Sequence, residues 1–214
     1  MQGPSLALHA QLSALLSMSE IFTLLFITLG PLKALGPFVK ATQGADAALI
    51  RRIAFAAFAF STISLFAGVY IGQTILDKWN VGLPALMLTA GALLFFVAFR
   101  SLVVDLYSGA PATPAETATP SLLTAISPLT FPVIATPYGI AILILLKGAL
   151  PEEQVGILLC LGGIMVLNLL AMLFARQILR FAAMPLQLVG TILTVLQAAL
   201  GVQILIGGFR ALAG

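Results

Sequence analysis

The sequence predicts an all-α membrane protein of six transmembrane helices, arranged as a 3+3 inverted-topology repeat with helices 1 and 4 broken by Pro/Gly motifs. Three observations predict it. Only 8% of the 214 residues are charged and 61% are apolar, at a mean hydropathy of +1.15. An average soluble domain carries about 25% charged residues, so this chain lacks the charge to cover a water-soluble surface. Its uncharged runs have membrane-spanning length, and its two halves match at one fixed offset. A β-barrel would instead show short alternating segments.

The charges bound the spans, each of which needs roughly 20 apolar residues. Uncharged stretches run over Ile53–Leu76, Trp79–Phe99, Thr117–Leu146, Gln154–Ala175 and Phe181–Phe209. A sixth span lies between Glu20 and Lys40, interrupted by Lys33. Residues 1–18 read as an N-terminal extension on or entering the membrane interface, without the basic start of a signal peptide. A first helix from Ser5 to Pro31 is the alternative, and the repeat favours the later start. With the N-terminus outside, the inner face carries Lys33, Lys40, Arg51, Arg52, Arg100, Arg176 and Arg180. The outer face then carries only Lys78, Lys147 and Arg210. The excess of inner positive charge predicts both termini outside, which is the periplasm if the membrane is a bacterial inner membrane.

A shift of 101 residues superposes Pro31 on Pro132, Pro84 on Pro185, and Ile50–Gln73 on Pro151–Phe174. Pro37 falls one residue from Pro137. The units are residues 19–106 and 121–214, joined by a Pro-, Ala- and Thr-rich inner linker over residues 107–120. Three helices per unit invert the second unit, an arrangement common in secondary transporters.

Proline removes a helical hydrogen bond and crowds the preceding turn. The first span holds Gly30, Pro31, Gly36 and Pro37, and the fourth holds Pro128, Pro132, Pro137 and Gly139. Irregular backbone survives at membrane depth where protein buries it or where it lines a watery cavity. Freed amides of a half-helix suit a carboxylate, and freed carbonyls suit a cation or an ammonium. The pair together suits a zwitterion. The substrate-binding candidates are Gly30, Pro31, Lys33, Gly36, Pro37, Pro132, Thr136, Pro137, Tyr138, Gly139 and Asn168. The competing reading is a pair of kinked helices that serve packing alone. Lys33 reads as a counter-charge for a carboxylate, or as a lysine snorkelling to the inner interface. Asn168 stands out among the polar residues because an amide is costly to leave unpaired in lipid. Gln187, Gln197, Gln203, Ser61, Thr62, Ser64 and Thr89 read as interhelical hydrogen bonding, and Gly162-Gly163 and Gly207-Gly208 as close helix contacts.

The run from Gly30 through Phe38 to Ala41-Thr42 resembles the first signature of the MarC-type membrane proteins. The run from Ser127 to Ala141 resembles their second. Leu83-Pro84 through Thr89–Ala92 to Phe99-Arg100 is similar to their third helix. The resemblance runs from about Ser19 to the C-terminus and implies a six-helix inner-membrane protein grouped with neutral amino-acid transporters. Many members carry Asn or Asp before the first proline, where Gly30 offers only backbone.

No carboxylate falls at mid-membrane, so a buried acid relay is not expected. Ion coupling would use Na⁺ on carbonyls and hydroxyls, or a proton site at Glu20. One histidine and one cysteine leave no catalytic or metal motif, and no phosphate loop is present. No enzyme activity, resident cofactor or metal is expected. The expected partners are the bilayer and a small zwitterion, not nucleic acid, since the net charge is only +3. The leading function is a secondary transporter of small neutral amino acids, with a cavity bounded by residues 31–37 and 132–139. A channel-like exporter and a structural or assembly protein are the alternatives.

Overall fold

The computed structural model describes residues 17–107 and 120–213. Residues 1–16 of the expected extension and 108–119 of the expected linker lie outside them. The regular elements described are all helical: α1 (Met18–Leu29), α2 (Leu32–Ala41), α3 (Ala47–Lys78), α4 (Leu83–Tyr107), α5 (Pro137–Ala149), α6 (Gln154–Leu173) and α7 (Ala175–Ala213). A wide broken coil, Ala125–Ile134, precedes α5, and a single tight turn, Pro151–Glu153, precedes α6. The stretch Met18–Ala41 forms one 24-residue span from α1 and α2. The coil and α5 form a second broken span, bent by 54°. The described residues thus hold five helices long and apolar enough to cross a membrane, or the six expected when the bent pair counts as one span.

Local chemistry starts these elements where it should. The Ser17 amide donates to the Glu20 carboxylate at 2.6 Å, capping α1. That contact engages Glu20 at the helix end. Asp46 caps α3 by accepting from the Leu49 amide at 3.0 Å. Thr136 caps α5 through the Gly139 amide at 3.0 Å, with Pro137 in the first turn. Gly44, at φ +83°, turns the chain between α2 and α3.

Two helix boundaries differ from expectation. The third span starts at Leu83 rather than Trp79, because residues 79–82 form a turn with Asn80 at φ +51°. It also runs past Phe99 to Tyr107. The last helix starts at Ala175 and has 39 residues, about 58 Å at 1.5 Å per residue. A hydrocarbon layer is roughly 30 Å thick. Ala182 leaves helical geometry, at φ −127° and ψ 20°. It thereby separates the leading turns, with Arg176 and Arg180, from the spanning part.

The core joins Ile21, Leu25 and Leu29 of α1 to Ile53, Ala57 and Leu65 of α3, Leu129, Ile142 and Leu143, and Leu161 and Ile164 of α6. Lipid is as apolar as these side chains, so close packing rather than water exclusion holds such helices together. The α4–α7 pair shows this most clearly. A Cβ on Gly91 would come within 2.8 Å of the Gly201 carbonyl, and one on Gly208 within 2.9 Å of Leu88. The expected contact at Gly207-Gly208 is present, with Met87 and Leu88 against it. At Gly162-Gly163 the expectation fails: a Cβ at either meets nothing within 4 Å. Both point away from the neighbours of α6.

Candidate functional site

The break in the first span falls at Gly30-Pro31. Gly30 is extended, at φ −68° and ψ 161°, and α2 restarts at Leu32. A Cβ on Gly30 would run into the Phe26 carbonyl, so this backbone path needs a glycine. The break frees the Leu29 carbonyl, and Asn168 of α6 takes it, donating from Nδ2 at 2.8 Å. Asn168 also donates to the Ile164 carbonyl at 3.0 Å. Its side chain is 2% exposed, and its Oδ1 has no partner among the described residues. A buried polar oxygen without a donor is costly.

The break in the fourth span lies against the first. Gly139, in the first turn of α5, packs on Leu29, and a Cβ there would overlap the Leu29 side chain. The Gly139 amide, expected to be free, already bonds Thr136 Oγ1, and the Ile140 amide bonds the Thr136 carbonyl. The amides of Leu32, Lys33 and Tyr138 take no backbone acceptor among the described residues.

Lys33 stands between these elements. It is half-buried in the first turn of α2. Its ammonium donates to Gln197 Oε1 of α7 and to Tyr138 Oη at 3.4 Å. It lies 5.2 Å from the centre of the Tyr138 ring. Gln197 is 1% exposed and passes the contact on, donating to the Leu94 carbonyl of α4 at 3.4 Å. Both side chains that hold Lys33 are uncharged. An interior ammonium with neutral partners alone retains most of the cost of leaving water.

The structure brings together Gly30, Pro31, Lys33, Thr136, Tyr138, Gly139 and Asn168. It turns Gly36, Pro37, Pro132 and Pro137 outward, where they are exposed. Pro37 does not break its helix, because α2 runs through it to Ala41. The Gly30-Pro31 step already takes up the change of path, and Pro37 removes only one further hydrogen bond. These outward proline rings shape the backbone and place no side chain in the interior. Gln197 emerges as the central addition. Its signal in the sequence was indirect: a lysine inside an apolar span requires an acceptor, and mid-helix glutamines are few.

The cavity lies one turn from where it was expected. An open cleft of about 620 Å³ is lined by Gly36, Val39, Lys40, Gln43, Gly44, Arg176 and Leu179. Arg176 crosses its mouth to the Thr42 carbonyl at 3.0 Å. Gly36 follows Lys33 by three residues, about 4.5 Å along α2. The interior beyond is filled by Leu29, Ile134, Ala135 and Ile142, all buried. The cleft lies at the end carrying Lys40 and Arg176, and Lys33 is not part of its lining.

Neither the curated proteins nor the solved structures contain a significant match. The family model described as MarC family integral membrane protein matches residues 15–213, which takes in both breaks and every helix described. A single family model spanning both halves agrees with the order of the elements, and this chain belongs to the MarC family of integral membrane proteins.

Proposed function

We propose that this protein is an inner-membrane secondary transporter of small neutral amino acids or similar zwitterions, bound where the two broken spans meet. The observation that carries the reading is Lys33, an interior ammonium held among the described residues by Gln197 and Tyr138 alone. A substrate carboxylate would replace Gln197 as its partner and supply the missing negative charge. The substrate ammonium would donate to Asn168 Oδ1, the buried oxygen still without a donor. Leu29 and Gly139 crowd the space between, which favours a small side chain. The cleft at Lys40 and Arg176 supplies the approach from the inner side, with its cations drawing in the carboxylate.

Transport requires the second side to open. Losing the Lys33–Gln197 contact would loosen α7, and with it α4, from the two broken spans. The inverted repeat and periplasmic termini make this a rocking of one half against the other.

The test is uptake of labelled glycine, alanine, serine and threonine into proteoliposomes holding the full chain, with and without Na⁺ and proton gradients. Saturable uptake that one zwitterion inhibits for another supports the reading. Uptake of none of them, under any gradient, overturns it. Non-saturating flux indicates the channel-like exporter instead.

A further inference from the structure

The break at Phe131–Thr136 leaves carbonyls as well as amides. In a helix the Phe131 carbonyl would accept from residue 135 or 136, but the Ala135 amide bonds Thr130 at 2.8 Å and the Thr136 amide bonds Ile134 at 3.0 Å. The Pro132 carbonyl would accept from residue 136 or 137, and Pro137 has no amide hydrogen. The Val133 carbonyl faces the same proline. Three successive carbonyls therefore lack helical donors in the middle of a span.

The helix beside them carries a matching defect. Ser61 of α3 is 0% exposed, and neither its hydroxyl nor that of Thr62 has a partner among the described residues. A buried serine or threonine in a helix usually bonds back to the carbonyl four residues earlier. Thr74, Thr89 and Thr194 all do so here. Ser61 and Thr62 do not. α3 runs parallel to α5, with Gly68 against Ile140 and Gly72 against Ile144. Both pairs run in the same direction, so the part of α3 that precedes Gly68, Ser61 included, lies toward the break that precedes α5. Ser61 also precedes Gly68 by seven residues, about two turns, and shares its face. The coil Ala125–Ile134 packs directly on α3. An unpartnered hydroxyl on α3 and three carbonyls without helical donors thus belong to two elements in direct contact.

We propose that this junction is a binding site for a small monovalent cation, Na⁺ in the first instance. Its ligands are drawn from Ser61 Oγ, Thr62 Oγ1 and the carbonyls of Phe131, Pro132 and Val133. Unwound backbone carbonyls at half-helix ends are suitable ligands for such ions. The donor set consists of neutral oxygens. A divalent ion would bring twice the charge, and the described residues contain no cluster of three or more His, Cys, Asp or Glu to offset it. The site is separate from the zwitterion position at Lys33. It needs no amino acid to be tested.

The test is thermal unfolding of the purified full chain in NaCl, KCl and choline chloride at equal ionic strength. With Na⁺ about tenfold above its dissociation constant, the expected rise over choline is about 3–5 °C. Ser61→Ala with Thr62→Val, or Ser61→Ala alone where the double variant folds poorly, should abolish that rise. Hydroxyls that are merely unsatisfied predict a different pattern, in which the variant melts higher in all three salts by the same amount. Equal melting of the wild type in sodium and choline overturns the proposal, as does a sodium increment that survives both substitutions. Either failure leaves the zwitterion reading standing, because amino-acid binding in choline tests that reading alone.

Discussion

The α4–α7 pair and the pair of broken spans solve opposite problems with the same small residues. Along α4–α7 the glycines let two backbones touch at Gly91 and Gly201. Around Gly30 and Gly139 the glycines let the chain leave the helix. Polar groups follow among the described residues: a lysine held by neutral partners, an asparagine oxygen without a donor, and three amides without backbone acceptors. One region uses absent side chains to complete its contacts, the other to leave contacts incomplete. The comparison teaches that packing quality, not polarity alone, separates a fixed part of this membrane protein from a part suited to a ligand.

Substitutions can test that division. Gly201→Val drives a side chain into Phe95 and the Gly91 carbonyl. It should cost about 2–4 kcal/mol of stability, read as lost folded yield and a lower melting temperature. Lys33→Met should do the reverse. Removing an interior charge is neutral or stabilising, while zwitterion uptake should fall by about 100-fold or more. Uptake surviving in Lys33→Met would show that the substrate lies elsewhere. Thr136→Ala removes the cap of α5 and should cost about 1 kcal/mol, with a smaller loss of uptake than Lys33→Met. Gly163→Ala is the control. With open space at its Cβ, it should change melting by less than about 0.5 kcal/mol and leave uptake at the wild-type rate. A large effect there would mean that the exposed face of α6 is covered by something in the membrane.

Much of this architecture was legible in the chain. Arg52 and Asp77 bracket the uncharged stretch within α3 and Lys147 lies in the last turn of α5, because burying a charge in lipid is expensive and the chain spaces its charges accordingly. Pro31 and the 132–137 run announced the breaks, since no helix passes them with its hydrogen bonds intact. Pro37 misled because a proline within a short helix removes one bond and need not change direction. The outward rotation of Pro132 and Pro137 was not readable either. Helical phase is lost wherever the backbone leaves the helix, as at Ser127 and Phe131. Gln197 does bond between helices as expected, but its pairing with Lys33 was not readable because the two lie 164 residues apart. Only the packing of α7 across α2 makes that pair, and no local pattern encodes it. Gly162-Gly163 looks like Gly207-Gly208 in sequence. What differs is whether a neighbouring helix stands in front.

The turn at residues 79–82 has a practical consequence. Trp79 is the single tryptophan of the chain, and it is 77% exposed at the point where α3 hands over to α4. All indole fluorescence therefore originates from one known loop. A water-soluble quencher added outside sealed vesicles would dim that emission only in molecules whose loop faces outward. The native protein thus carries its own optical marker of sidedness, and the direction of insertion can be measured without introducing any label.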